Sequence, residues 1–438
     1  MVVFVKEAVP GDVADLQVFR KKGRYMEARV VRYLSYSGQR SEPFCKHFGV
    51  CGGCKWQQLP YNRQLFYKQQ QVEEAFRHIA GVDIPQALPI LGAEPNTGYR
   101  NKMEFTFSNH RWLLEEEKDK NEKPAHTNAL GLHVPGRFDK VVDIDHCYHQ
   151  NSPSNEIRNF LRKLALQKGV SFYDHRSNEG LMRNLIIRSS TIGEVMVILS
   201  VQFEEPVVYE ILEAIHQQFP GLTSLMYTIN PKKNETLYDQ DILVYKGRDH
   251  IFEEMEDLRF KIGPKSFFQT NSKQALDLYR HTRNFARLSG GEVLYDLYTG
   301  TGTIANFMAK KAGLVVGIES VPEAIGDARV NAKLNGIGNT RFFAGDMKDL
   351  FTEAFIREQG RPEVIVTDPP RAGMHQKVVE QILKVAPERI VYVSCNPATQ
   401  ARDVELLASK YRVQKIQPVD MFPHTHHVEN IALLEKQS

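Results

Sequence analysis

The chain has 438 residues, 42% of them hydrophobic and 25% charged, the balance of a globular protein with core enough for two or three domains. Mean hydropathy is −0.39, no stretch approaches the roughly 20 apolar residues of a membrane helix, and the apolar run at the N-terminus is too short for a signal peptide. Membrane, secreted and fibrous readings are excluded, and a cytoplasmic protein is expected. Net charge is +3, which does not demand a polyanionic partner. Residues 1–40, however, carry eight Lys or Arg against four acids, a local surplus larger than that of the whole molecule. Such a patch suits either a solvated face or a nucleic acid.

In chain order, Val2–Val5, Val13–Phe19 and Arg24–Tyr33 read as short strands, with a turn at Gly11–Asp12. Small twisted barrels with a charged face commonly bind RNA. An OB-type barrel needs about five strands, so residues 1–40 form a partial one. Residues 41–58 are rich in cysteine and glycine. Tyr61–Ala80 places Leu65, Val72, Phe76 and Ile79 at helical spacing, with Gly81 as the stop. This helix is a candidate to pack on the C-terminal domain. The rest of 41–262 is β-rich: Met103–Phe107, Leu130–Val134, and a hairpin of Asn184–Arg188 with Glu194–Val201 around Gly193. The charged run Glu115–His126, with Pro124, is expected to be an exposed loop. From residue 263 the pattern becomes α/β. Val293–Leu297, Val315–Ile318, Arg341–Phe343, Val364–Thr367 and Ile390–Val393 are short apolar strands separated by helical or loop segments. An open, Rossmann-like parallel sheet over 263–438 follows, with its ligands at the strand C-termini.

LYDLYTGTGTIANFMAKKAG is a strand, a Gly-rich turn and a helix. Gly300 and Gly302 permit close backbone approach, and Ala305 takes the third small position. Glu319 ends the next strand, 17 residues after Gly302, where an acid can accept from a ribose diol. Dinucleotides and S-adenosylmethionine share this architecture. Asp346, placed to meet an adenine edge, and the stiff Asp368-Pro-Pro-Arg turn favour the methyl donor. VYVSCNPAT puts Cys395 at the end of the fifth strand, beside that donor. A thiolate adding to carbon 6 of uracil makes carbon 5 nucleophilic enough to take a methyl group, and a base must then remove the carbon 5 proton. Glu429, just before the Ile431–Leu434 strand, is the candidate base. His424, His426 and His427 read as positioning groups rather than metal ligands.

The other cysteines are Cys45, Cys51, Cys54 and, 93 positions later, Cys147. Four thiolates suit an iron–sulfur cluster or a structural zinc, and a triplet plus one remote ligand favours the former.

Together these motifs resemble the ribosomal RNA uracil-5-methyltransferases, the iron–sulfur branch of the bacterial RNA 5-methyluridine family. The resemblance implies a SAM-dependent methyltransferase domain at 263–438, a central β-rich domain at 41–262 and an N-terminal OB-like TRAM domain. It implies a 4Fe–4S cluster on Cys45, Cys51, Cys54 and Cys147, and 23S ribosomal RNA as substrate. It also implies cofactor contacts from Gln269 (in SFFQTN), Tyr298, Glu319 and Asp368, with Cys395 as nucleophile and Glu429 as base. Gly300, Thr303 and Asp346 complete the expected cofactor set. The loop carries Thr303 where the family often has Asn, and the position of Asp346 varies. Only the later strands of the TRAM domain are matched, so the chain is expected to start inside it, with weakened RNA affinity and an intact catalytic machinery.

The target uridine would have to leave its stack. Phe267 and Phe268 are candidates to stack on it, and Arg100, Lys102, Arg137 and Arg188 to line its path. A monomer without membrane or obligate protein partner is expected. Three alternatives compete. A tRNA uracil-5-methyltransferase would use the same chemistry, although such relatives generally lack the cysteine cluster. An adenine amino-methyltransferase would carry an aromatic residue where this chain has Arg371. A non-catalytic iron–sulfur RNA-binding factor would not need an intact Cys395 and Glu429.

Overall fold

The computed structural model describes residues 2–23, 25–118 and 126–437. Residues 119–125, most of the charged stretch expected as a loop, lie outside the described residues, and Glu115–Lys118 is a short helix.

Val2–Lys6, Val13–Lys22 and Tyr25–Ser35 form a three-stranded sheet in which the first strand runs parallel to the third, and the third antiparallel to the second. The described residues make an open sheet rather than a closed barrel, and leave Phe4, Phe19 and Val31 exposed. Asp12 fastens the sheet to the following loop. Its carboxylate accepts from Arg40 at 2.6 Å and from the Val9 and Ser37 amides, and the Arg40 bond holds it down at about 2.

The helix expected over Tyr61–Ala80 is α-helical only over Tyr61–Ala75. It widens into a π-helical turn at Phe76–Ala80 and stops at Gly81, with φ 60°. Its buried face also differs from the apolar stripe. Val72 and Phe76 are inside with Gln64 and Lys68, whereas Ile79 is exposed. Lys68 is buried because Asp420 meets its Nζ at 2.6 Å, with both side chains fully covered. The same ammonium donates to the Phe422 carbonyl at 3.0 Å, and the Tyr61 hydroxyl donates to the second Asp420 oxygen at 2.9 Å. Removing one partner strands the other charge away from water. Lys68→Met is therefore expected to cost about 3–5 kcal/mol in urea unfolding; an unchanged midpoint would show that the pair contributes no net stability.

The central domain holds an eight-stranded sheet whose middle strands, Val195–Val201, Met182–Ser189 and Lys102–Ser108, run antiparallel to one another, while Val195–Val201 pairs in parallel with Ser224–Ile229 on its other side. The expected hairpin is present, Arg188 opposite Met196, with Gly193 at φ 84°. Helices Ser154–Gln167 and Pro206–Gln218 cover one face, with Ile157, Leu161, Ile211 and Ile215 in the core.

In the C-terminal domain the strands are β1 (Val293–Leu297), β2 (Leu314–Glu319), β3 (Thr340–Ala344), β4 (Val364–Thr367), β5 (Arg389–Ser394), β6 (Tyr411–Val419) and β7 (Glu429–Lys436). Their order is β3-β2-β1-β4-β5-β7-β6, parallel through β5, with β7 inserted antiparallel beside it. The order reverses at β1, so the crevice at the C-terminal ends of β1 and β4 is where such a sheet binds ligands. Gln400 pins β5 to β7: its amide donates to the Tyr392 carbonyl and accepts from Asn430 at 2.7 Å.

The expected boundary at residue 262 cuts through a packed unit. The hairpin Ile251–Met255/Leu258–Ile262 places Met255, Leu258 and Phe260 in one core with Ile304 and Phe307. The amides of Arg259 and Lys261 donate to Asn335 and Asn331 at 2.8 Å. The turn of the Tyr61 helix likewise packs on the C-terminal domain, with Phe76 and Ala80 in one cluster with Ala401 and Leu407.

Candidate active site

The crevice is built from strand ends. After β1, Tyr298 turns the chain at φ 66°, an unusual value for a residue with a side chain. Gly300 and Gly302 follow at φ 55° and 72°. The two glycines serve different needs. A Cβ on Gly302 would strike Ala328 at 2.7 Å, whereas one on Gly300 would meet nothing within 4 Å. Gly302 is thus required by packing, and Gly300 faces an open cradle of the kind a cofactor fills. Glu319, at the end of β2, accepts from the Gly300 amide at 3.2 Å and from the Ser320 and Val321 amides. Thr303 opens the following helix, its hydroxyl 3.3 Å from that of Thr301. Asp346 is exposed and caps the short helix after β3, where Lys348 pairs with it. The neighbouring Gly345 amide donates to the Glu319 carbonyl, which brings the β2 and β3 ends together.

Gln269 lies just before the helix Ser272–Ala286, and its carbonyl accepts from Asn101 at 2.7 Å. The two phenylalanines before it part ways. Phe267 is exposed beside the Gly-rich loop, its carbonyl accepting from Thr301, while Phe268 is buried against Phe260. Only Phe267 is free to stack. Arg188 is likewise a core residue, 6% exposed and donating to the Ser266 carbonyl. It cannot line an RNA path.

Cys395 follows β5, half-buried. Burial pushes its thiol up to about 11, reinforced by the charges of Glu429 and Asp368 and opposed by the Arg371 guanidinium. Glu429 opens β7 and is 4% exposed. Burial raises both Glu429 and Asp368, and the Asp368 charge raises Glu429 further. Beneath them Asp296 is pushed up to about 7 by burial, against the Thr299 hydroxyl bond of 2.5 Å. Arg371 ties the turns together: its carbonyl accepts from Asn396 and Thr399, and its guanidinium reaches His427 at 3.3 Å. Cys395, Glu429, Asp368 and Arg371 thus share one mouth of the sheet, next to the Gly300 cradle.

The four remaining cysteines gather at the edge of the central domain, close enough that Cys45, Cys51 and Cys54 each feel the charge of Cys147. Burial raises all four thiols. Among the described residues no three of the sulfurs lie within 4.8 Å of one another, wider than the ligands of a zinc with bonds of about 2.3 Å. Buried His47 leaves both ring nitrogens unpartnered in the same loop, and His149 approaches the Cys54 sulfur at 2.8 Å. Four gathered thiols are a donor set that would suit an iron–sulfur cluster or a zinc ion.

Sequence reasoning missed the bridge from these thiols to the crevice. The Lys55 and Trp56 amides donate to the His424 carbonyl at 2.8 and 3.0 Å. Buried Gln64 donates to the Trp56 and Leu59 carbonyls and accepts from the His424 amide at 2.9 Å. His424 is buried at φ 64°, which supports a positioning role for it over a ligand role.

Residues 239–437 match the family model described as tRNA (Uracil-5-)-methyltransferase. An uncharacterized RNA methyltransferase of Bacteroides thetaiotaomicron is 57% identical over 439 residues, covering 99% of this chain and 97% of that protein. The chain belongs to the RNA (uracil-5-)-methyltransferase family. Another uncharacterized RNA methyltransferase, from Chlorobaculum tepidum, is 41% identical over 98% of this chain and 90% of its own. Among solved structures, the Pyrococcus abyssi tRNA (uracil-54, C5)-methyltransferase in complex with S-adenosyl-L-homocysteine superposes with a TM-score of 0.74. It is 27% identical, over 98% of this chain and 95% of that one. The protein is an enzyme, a SAM-dependent RNA uracil-5-methyltransferase on an α/β fold, and the non-catalytic reading loses its support. None of its helices is long and apolar enough, among the described residues, to cross a membrane.

Proposed function

We propose that the enzyme methylates carbon 5 of a uridine in 23S ribosomal RNA through a covalent adduct on Cys395. The convergence of Cys395, Glu429, Asp368 and Arg371 beside the Gly300 cradle carries this reading. When bound, S-adenosylmethionine supplies an electrophilic methyl group. Glu319 would accept from its ribose hydroxyls, and Gly300, Thr303, Tyr298, Gln269, Asp346 and Asp368 would line the rest of its site. The Cys395 thiolate attacks carbon 6, and the displaced electron pair gathers at carbon 5, which takes the methyl group as its bond to the donor sulfur breaks and S-adenosylhomocysteine is left. The Glu429 carboxylate accepts the carbon 5 proton. The electrons of that C–H bond restore the ring double bond, the carbon–sulfur bond breaks, and the thiolate returns. Arg371 offsets the two acids and so favours the thiolate. Exposed Phe267 would stack on the extruded base.

Cys45, Cys51, Cys54 and Cys147 would hold a 4Fe–4S cluster. Its place in the reaction is architectural. The loop it would fix holds the His424 carbonyl through Lys55 and Trp56, five residues before Glu429.

The cysteine set, through its resemblance to the iron–sulfur ribosomal branch, supports 23S RNA. The name of the Pyrococcus abyssi enzyme supports tRNA as the second reading. Methyl transfer to unmodified 23S RNA and to unmodified tRNA separates them. A preference of roughly 100-fold or more for 23S RNA is expected; the reverse preference would replace it with tRNA.

A further inference from the structure

Away from the crevice and the thiols, one cluster of ligating side chains among the described residues remains without a role. His133 ends the strand Ala129–His133, His175 lies between the helix Ser154–Gln167 and the strand Met182–Ser189, and Glu235 lies between the strands Ser224–Ile229 and Leu243–Gly247. Their ligand atoms all lie within 4.8 Å of one another. Nε2 of His175 stands 3.1 Å, and Nε2 of His133 3.8 Å, from the same Glu235 oxygen. An ion with nitrogen and oxygen bonds of about 2.0–2.2 Å fits at the centre of such a triangle. His175 Nε2 is within hydrogen-bond distance of Glu235, while the Nδ1 atoms of both imidazoles are buried and unpartnered.

The surroundings hold the three groups in place. Arg183, 1% exposed, donates to the carbonyls of Asn230 at 2.8 Å, Asn234 at 2.9 Å and Lys232. It thereby fixes the backbone that carries Glu235. The same guanidinium lies 4.2 Å over the Tyr173 ring, whose edge-to-face contact at 5.0 Å sets the His175 ring. The His133 carbonyl accepts from the Gly52 amide at 3.2 Å, inside the cysteine loop. The His133 and Glu235 side chains each keep 34% of their surface, so solvent reaches one side.

We propose that His133, His175 and Glu235 form a binding site for a divalent first-row transition ion of the zinc class, with water completing its shell. Two imidazoles and a carboxylate suit zinc, and the site would strap the 230–240 connection to the strand that holds the cysteine loop.

The test uses the whole enzyme with its thiol site loaded, freed of loosely held ions by a mild chelator and titrated with Co²⁺. Calorimetry and visible absorption should report one equivalent bound, with weak d–d bands and no thiolate-to-cobalt charge-transfer band. His175→Ala and Glu235→Gln should each weaken binding by about 100-fold or more. Glu235→Gln preserves volume, and unchanged S-adenosylmethionine affinity in that variant confirms its fold. No saturable binding to wild type, a thiolate band, or unaltered affinity in both variants would overturn the site. The absorption criterion holds whatever metal the four cysteines carry, so failure here is distinct from failure of the cluster assignment.

Discussion

Cys395→Ala is expected to lower RNA methylation by about ten-thousand-fold or more, while S-adenosylmethionine binds as it does to wild type. The side chain lies beyond the end of β5, outside the Gly-rich loop, so the donor site keeps its contacts. What is lost is the group that makes carbon 5 nucleophilic. The pH dependence gives the same claim an independent readout. With the thiol pushed up to about 11, only a small fraction is thiolate near neutrality. That fraction grows as pH rises, so the single-turnover rate should climb by up to about tenfold per unit between about pH 6 and pH 8. Residual methylation in the alanine variant would refute the covalent scheme, as would a rate that falls with rising pH.

Glu429→Gln should separate the two halves of the reaction. The amide fills the same buried space but cannot accept a proton. Addition to carbon 6 and methyl transfer proceed, and the methylated adduct then waits with its carbon 5 proton in place. A protein–RNA species resistant to denaturation should accumulate on ordinary uridine substrate, with release slowed by roughly 10²–10⁴-fold. Substitution also removes the Glu429 charge that raises the Cys395 thiol, which eases thiolate formation and does not slow the first step. Turnover at the wild-type rate would mean that another group is the base.

The catalytic sheet and its site were legible because their signals are local. Each strand is a short apolar run, and Cys395, Glu319 and Asp368 stand where those runs end. Burial of polar residues was not legible in this way. Lys68 and Gln64 read as the wet side of a helix by residue type, yet both are inside. The partner that makes this tolerable for Lys68 is Asp420, 352 positions away. Arg188 was misplaced for the same reason, since a cation in a strand reads as a surface group until the Ser266 carbonyl is seen above it. Phe267 and Phe268 are adjacent and chemically identical, and only the packing against Phe260 assigns them opposite fates. His133, His175 and Glu235 have no motif at all, because three separate connections bring them together.

Ribosomal RNA transcripts containing 5-fluorouridine should trap the Cys395 adduct. Fluorine at carbon 5 cannot leave as a proton does, so the intermediate is trapped once the methyl group has transferred. With S-adenosylmethionine present, a complex is expected that survives denaturing electrophoresis and maps to one uridine, with the RNA joined to the peptide containing Cys395 and no complex from Cys395→Ala. Trapping through a different residue, or an identical complex from the alanine variant, would contradict the adduct on Cys395.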